Sequence, residues 1–146
     1  MTYQHILVPV DGSETALAVV KHAAYLAKTY NAKVTVVQVM TLDPYIAAEY
    51  LATGHTNQMI DRARNFIQDN INTAKEKFAA EGVEVETRLL EGENIYRTIA
   101  NAATELNADL VVICSHGRSG IKKLILGSVA QSLIAELDVP VLVVKK

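Results

Sequence analysis

The sequence predicts a single α/β domain over residues 1–146, built on a five-stranded parallel sheet with helices on both faces. Short runs of Ile, Leu and Val alternate with segments whose apolar residues recur at helical spacing. The strand runs lack strict alternation, which is typical of strands covered by helices on both sides. Because crossovers between parallel strands are nearly always right-handed, such a chain packs as one sheet between two helical layers.

In the first half of the chain, the apolar pattern gives two strands and one helix. Strands are predicted at His5–Val10 and Lys33–Val39, with an amphipathic helix at Glu14–Tyr30 between them. Thr41–His55 holds a proline and a glycine without any sustained period. We therefore expect this segment to be an irregular, mobile loop.

The second half continues the alternation. A long amphipathic helix has its apolar stripe from Ile60 to Phe78 and stops at Gly82. Strand three is predicted at Val83–Leu90, and the stripe from Ile95 to Leu106 predicts another helix.

The last three elements are two strands and the helix between them. Leu110–Cys114 is a fourth apolar strand, and Val141–Val144 is the fifth, preceded by Pro140. Ser128 and Gln131 have the spacing of a capping box, which predicts that the final helix starts there.

Composition and charge exclude several classes of function. Half of the residues are apolar and 21% are charged, which is the balance of a globular domain. The formal net charge of -2 offers no field that attracts nucleic acid, and no apolar run approaches the roughly 20 residues of a membrane span. Cys114 has no partner for an internal disulfide, and Met1–His5 lacks signal-peptide features. We expect a cytoplasmic protein.

The fold class predicts where a ligand binds. Open parallel sheets bind ligands beyond the carboxyl ends of their strands, where the winding direction reverses. This rule selects three segments, which are Val10–Ser13, Val39–Thr41 and Ser115–Ser128. Asp11, in the first segment, is suited to hold a ribose hydroxyl or a magnesium-bound water, or alternatively to cap the helix that follows.

The third segment has the chemistry of a phosphate site. Its glycines, Gly117, Gly120 and Gly127, let backbone amides approach a ligand closely. Ser128 begins a helix whose positive dipole end suits phosphate oxygens. The basic residues of the segment are Arg118, Lys122 and Lys123. These features predict a polyphosphate ligand, although the glycines alternatively form only a turn and a helix cap. Neither a P-loop nor a dinucleotide fingerprint is present.

The glycine spacing resembles a known family. Gly117, nine further residues and Gly127-Ser128 match the latter part of the G-x2-G-x9-G-[ST] loop of universal stress proteins. ILVPVDGS, LNADLVVICSHGRSG and the terminal VPVLVVKK resemble the same family, so the similarity spans almost the whole chain. On these motifs the chain is identified as a member of that family. Cys114 replaces the first glycine of the motif; a thiol is tolerated there at negative φ and strained at positive φ.

The resemblance implies a fold, a ligand and an assembly. The fold is Rossmann-like, and the ligand is ATP, or ADP or AMP, bound with Mg²⁺ at the carboxyl edge of the sheet. The expected homodimer is joined along the last strand, Val141, Leu142, Val143 and Val144. An unidentified partner protein is also expected, whereas nucleic acid and membrane are not.

The resemblance also assigns roles to single residues. The residues implied around the adenine are Pro9, Val10, Val39 and Ile113, and Asp11 is implied near the ribose or a magnesium-bound phosphate. The residues implied to hold phosphates through backbone amides are Gly117, Gly127, Ser128 and Val129, with the Ser128 hydroxyl adding a contact. His116 and Arg118 are implied beside the phosphates, and Cys114 belongs to the same nucleotide-binding set.

Three functions remain open from the sequence. The first is a nucleotide-binding regulatory or stress-response module, in which ATP changes the affinity for a partner protein. The second is a slow ATP hydrolase or phosphotransfer enzyme, for which only Asp11, His116 and magnesium are candidates because no clear catalytic pair exists. The third is an interaction dimer without nucleotide. The histidines show no metal-ligand spacing with Cys114, so we predict no protein-bound metal.

Overall fold

The computed structural model describes residues 2–12, 16–41, 48, 52–53, 58–115 and 127–145. Within these ranges, strands and helices alternate along the chain. The strands are β1 His5–Pro9, β2 Lys33–Thr41, β3 Glu86–Gly92, β4 Leu110–Cys114 and β5 Val141–Val144. The helices are α1 Ala16–Tyr30, α2 Gln58–Ala80, α3 Ile95–Glu105 and α4 Ser128–Glu136.

The five strands form one parallel sheet in the order β3-β2-β1-β4-β5. The chain winds outward from β1 through β2 to β3 and then crosses to β4 and β5 on the other side. The winding direction therefore reverses between β1 and β4. This topology confirms the predicted α/β fold with a five-stranded parallel sheet.

Each face of the sheet has its own hydrophobic core. Val8 faces a cluster that includes Val19 of α1 and Phe78 of α2. Leu7, the preceding residue, faces a cluster that includes Ile99 of α3 and, from α4, Leu133. Because consecutive strand residues point to opposite faces, both sides of a strand must be apolar here, which explains the continuous apolar runs in the sequence.

Three helices are followed, one or two residues after their last residue, by a residue with left-handed backbone, namely Asn31 (φ 54°), Gly82 (φ 82°) and Asn107 (φ 55°). After α2, the Val83 N–H donates to the Phe78 carbonyl and the Gly82 N–H to the Ala79 carbonyl, which is a Schellman motif. The predicted stop at Gly82 is confirmed. The predicted start of strand three at Val83 is wrong, because Val83 closes this cap and β3 begins only at Glu86.

The other boundaries differ from the prediction by small amounts. β1 ends at Pro9, although the Val10 N–H still donates to the Val37 carbonyl at 2.8 Å. β2 continues to Thr41, and the described residues at 48 and 52–53 are helical, so the expected irregular loop is wrong at these positions. Among the described residues, no helix combines the length and the apolar character needed to cross a membrane.

The predicted capping box of α4 is also wrong. The N-cap residue is Gly127, so Ser128 is already the first helical residue and its hydroxyl is not the cap. The Gln131 N–H donates to the Gly127 carbonyl at 3.0 Å, which is the first intrahelical hydrogen bond. A glycine at the N-cap supplies no side-chain acceptor of its own to the first turn of α4.

Candidate functional site

The candidate site lies where the winding direction reverses, at the carboxyl ends of β1 and β4. These strands pair directly, with Ile6 opposite Leu110 and Leu7 opposite Val111. Residues 10–12 follow β1 at this edge, and residues 114–115 end β4 beside them. Segments about a hundred positions apart in sequence thus meet at the place where open parallel sheets bind ligands.

Two backbone hydrogen bonds attach the start of α4 to this edge. The Ser115 N–H donates to the Val144 carbonyl at 2.9 Å, and the Ser115 carbonyl accepts from the Gly127 N–H at 2.8 Å. The amino end of α4 therefore lies directly beyond β4. No acidic residue occurs in the first turn of α4, so its positive dipole end is not neutralised from within the helix.

This geometry bears on the predicted role of Gly127. Its N–H donates to the Ser115 carbonyl in this arrangement, and its role in binding phosphate stays a prediction. The amides of Ser128 and Val129 belong to the first turn, where N–H groups have no intrahelical acceptor. Ser128 is exposed at this position.

The apolar candidates divide between the two faces of the sheet. Val39, Ile113 and Val129 share the cluster that underlies α3 and α4, and they come from three different elements. Val10 and Cys114 pack against the opposite cluster, beneath α1 and α2. Side chains of the first group therefore point toward α3 and α4, whereas those of Val10 and Cys114 point toward α1 and α2. Pro9 is half-buried at the end of β1.

Cys114 occupies an ordinary strand position. It pairs with Val144 across β4 and β5, and it is not among the described non-glycine residues with positive φ. The thiol is half-buried against the core. The side chain at this position is therefore accommodated without backbone strain, which is the favourable one of the two conditions stated from the sequence.

Asp11 and Gly12 form the bend that leaves β1. Asp11 is half-buried, and Gly12 has a φ of 79°, a conformation that favours glycine. A Cβ atom at Gly12 would collide with the side-chain amide of Asn70, which comes from α2. Asn70 and Gln38 each carry a buried polar atom that lacks a hydrogen-bond partner.

Sequence reasoning missed both of these amides. Gln38 had a visible signal, because it is the polar residue within the apolar run of β2. Asn70 had none, because it lies on an amphipathic helix with many polar neighbours. The predicted site residues His116, Gly117 and Arg118 lie outside the described residues, and their roles stay predictions.

A groove of about 370 Å³ lies elsewhere, between the carboxyl-terminal ends of α3 and α4. Its lining includes Asn107, Glu136 and Asp138. These residues precede β4 and β5, so the groove is at the amino edge of the sheet. It does not coincide with the winding reversal, and we place the candidate site at the carboxyl edge on topological grounds.

Comparisons with known proteins agree with this fold. Residues 2–145 match the model of the universal stress protein family. A universal stress protein of Methanocaldococcus jannaschii is 33% identical over 144 residues, covering 99% of this chain and 83% of the relative. A universal stress protein from Archaeoglobus fulgidus in complex with dAMP has a TM-score of 0.75 and 26% identity, covering 99% of this chain and 100% of that one.

A further solved structure, of a universal stress protein in complex with cAMP, has a TM-score of 0.70 and 25% identity. It covers 99% of this chain and 98% of its own. Both of these structural neighbours thus hold adenine nucleotides. With the family model matching nearly the whole chain, the protein belongs to the universal stress protein family.

Proposed function

We propose that this protein binds an adenine nucleotide at the carboxyl edge of β1 and β4 and acts as a regulatory, stress-response module. The observation that carries the proposal is the position of the amino end of α4, which the Gly127–Ser115 hydrogen bond holds beside the winding reversal. Helix amides and the helix dipole there favour a phosphate group. The complexes of structural neighbours with dAMP and cAMP support an adenine nucleotide as the ligand.

The described residues fit the parts of such a ligand. The apolar set Val39, Ile113 and Val129 suits the faces of an adenine ring, because these side chains already share one cluster. The amides of Ser128 and Val129 suit phosphate oxygens. Asp11, half-buried beside Gly12, suits a ribose hydroxyl.

Magnesium enters the proposal only together with the phosphates. Among the described residues, no group of three or more metal-binding side chains is arranged to hold an ion. A magnesium ion here takes its ligands from phosphate oxygens and water, with Asp11 contributing at most one contact, which suits the preference of Mg²⁺ for retained waters. We expect magnesium to strengthen ATP binding more than AMP binding.

The test starts from protein as purified. The protein is denatured, any released nucleotide is identified by chromatography, and the refolded protein is titrated calorimetrically with ATP, ADP and AMP, with and without magnesium. Binding of ATP without phosphate release supports the regulatory module. Steady phosphate release that Asp11→Ala abolishes indicates the hydrolase. Failure to bind at millimolar nucleotide contradicts the proposal and favours the interaction dimer without nucleotide.

The same proposal includes a homodimer joined along β5. The Val111 N–H donates to the Pro140 carbonyl and the Ser115 N–H donates to the Val144 carbonyl, so alternate residues of β5 bond to β4. Val141 and Val143 therefore direct their backbone groups away from β4, and no described strand pairs on that side. An apolar edge of this kind suits a second copy of the same strand.

Val143→Pro tests the dimer, because it removes an outward N–H while leaving the bonds to β4 in place. Light scattering after size exclusion is expected to show a dimer for the wild type and a monomer for this variant, while Val143→Thr stays dimeric. A wild-type monomer at micromolar concentration contradicts the dimer. An unidentified partner protein and the cytoplasmic location stay predictions from the sequence.

A further inference from the structure

Two buried amide side chains lie beneath the bend that leaves β1. Gln38 is only 6% exposed, and its Oε1 atom has no hydrogen-bond partner. Asn70, on α2, has a buried Nδ2 atom that also lacks a partner. One is an acceptor and the other a donor. Leaving such a buried group unpaired costs about 1–3 kcal/mol, so two of them together need an explanation.

The register of β1 and β2 places Gln38 next to the bend. The register runs to Pro9 opposite Val37, and the Val10 N–H donates to the Val37 carbonyl, so Gln38 is the next residue alongside Val10. Its strand neighbours at two residues' spacing, Val36 and Met40, pack beneath α1 and α2. Strand alternation directs the Gln38 side chain to the same face.

Asn70 approaches the bend from the helix above. It adjoins Ile71, which is fully buried and packs with Met40 of β2. Its side-chain amide lies against the Cα atom of Gly12, at the position that a Cβ atom would need. Both amides therefore lie in one strip between α2 and the β1–β2 pair, and the Gly12 bend lies above it.

We infer that one shared internal water links the Gln38 Oε1 atom to the Asn70 Nδ2 atom, and that the two side chains act as positioning residues for the Asp11–Gly12 bend. A donor and an acceptor in one enclosed polar strip are the groups that such a link requires. Because Asn70 contacts Gly12, the link holds the backbone of the bend at a fixed position relative to the carboxyl end of the sheet. The expected effect on nucleotide affinity rests on the proposed function, since Asp11 is the proposed ribose contact.

The link is tested by whether replacing each amide with leucine lowers or raises the free energy of unfolding. If the amides are linked, Gln38→Leu and Asn70→Leu each leave the other amide unpaired, and each is expected to raise the unfolding equilibrium constant about tenfold. The double variant is then expected to be no worse than either single one. If the amides are two independent unpaired groups, each replacement by leucine instead stabilises the protein and the effects add, which overturns the inference. Gln38→Met replaces Gln38→Leu if leucine overpacks the strip.

The positioning role is tested by a measurement on folded protein, which a loss of stability alone does not change. In folded protein without nucleotide, the backbone amide resonance of Gly12 is expected to shift in Asn70→Leu and Gln38→Leu. The matched control is Asn65→Leu, an exposed amide on the same helix, which leaves that resonance in place. An unmoved Gly12 resonance in both variants overturns the positioning role.

Nucleotide titration completes the test. At concentrations where every variant is folded, both single variants are expected to bind AMP severalfold more weakly than the wild type or Asn65→Leu. If no variant and no wild type binds nucleotide, the proposed function fails, while the stability cycle and the Gly12 resonance still decide the link. If the wild type binds and the two variants bind equally well, the positioning role fails alone.

Discussion

The two edges of the sheet differ in the hydrogen bonding of their polar side chains. At the amino edge, the Asp109 carboxylate accepts from the backbone amides of Gln4 at 2.8 Å and His5 at 2.9 Å. The His5 ring then donates from Nδ1 to the Leu106 carbonyl at 2.9 Å, so in the neutral ring Nε2 accepts from the buried Thr35 hydroxyl at 2.7 Å. These contacts join β1 to β2 and to the segment before β4.

At the carboxyl edge, some of the described polar groups lack such side-chain contacts. Gln38 and Asn70 carry buried polar atoms without partners, Gly12 adopts a left-handed conformation, and Gly127 caps α4 without a side-chain hydrogen bond. The comparison teaches that side-chain hydrogen bonds join the strands at the amino edge, whereas glycines shape the described part of the carboxyl edge, where the ligand is proposed to bind. The following substitutions are ordered from the largest expected effect to the smallest.

Gly12→Ala is expected to be the most damaging change at the carboxyl edge. The alanine has to keep an unfavourable positive φ, and its Cβ collides with Asn70. We therefore expect the free energy of unfolding in urea to fall by about 2–4 kcal/mol and nucleotide binding to become about tenfold weaker. The matched control is Gly82→Ala, whose φ is 82° and whose added Cβ meets no atom within 4 Å. Its expected loss is about 1 kcal/mol. Equal losses for both variants contradict the role of the Asn70 contact.

Asp109→Ala is expected to weaken the amino edge without affecting the ligand. It removes the acceptor of two backbone amides, one of them partly exposed, and we expect a loss of about 2 kcal/mol measured by urea unfolding. Asp109→Asn keeps one acceptor oxygen and is expected to lose less. Nucleotide affinity is expected to stay at the wild-type value, since Asp11 lies at the other end of β1. A parallel fall in affinity disagrees with the division between the two edges.

Thr35→Val is expected to cost about 1–2 kcal/mol, because the half-buried His5 ring loses the hydroxyl partner of its Nε2 atom. The control is Thr35→Ser, which keeps the hydroxyl and therefore its hydrogen bond to His5. In the double variant His5→Phe/Thr35→Val, both polar partners are gone, so the combined loss is expected to be smaller than the sum of the single losses. Strict additivity in thermal or urea unfolding shows that the two side chains are not coupled.

Ser128→Ala is expected to leave stability within about 0.5 kcal/mol, because Ser128 is not the cap of α4. Asn94→Ala provides the contrast, since the Asn94 side chain accepts from the Arg97 amide at 3.0 Å and caps α3; its expected loss is about 1 kcal/mol. In nucleotide titration, Ser128→Ala is expected to bind severalfold more weakly while Asn94→Ala binds normally. A large stability loss in Ser128→Ala contradicts the assignment of Gly127 as the cap.

The fold was largely readable from the sequence because its signals are local. The bounds of β4 and β5 were predicted to the residue, since Leu110–Cys114 and Val141–Val144 are apolar runs with clear flanks. The start of β3 was not, because an apolar residue suits a strand and a helix cap equally well, and Val83 serves the cap. The capping box failed for a related reason, since Gly127 takes the N-cap position one residue earlier.

The candidate site was predictable in location but not in composition. The rule for open parallel sheets selected the ends of β1, β2 and β4, and the structure places the winding reversal between β1 and β4. The engagement of the Gly127 amide and the contact between Asn70 and Gly12 were not predictable, because each depends on how distant segments pack. No local pattern reports that a helix residue lies against a glycine almost sixty positions away.

The pairing of β1 with β4 has a consequence for cutting the chain. Gln4 and Asp109, which join these two strands, are 105 positions apart, whereas β1 pairs with β2 and β4 pairs with β5 within each half. A polypeptide divided after Gly92 yields two pieces that meet along the β1–β4 pair and across both hydrophobic cores, and each piece carries part of the carboxyl edge. Reassembly of two such fragments depends on these contacts, and a nucleotide bound at that edge as proposed is expected to favour it.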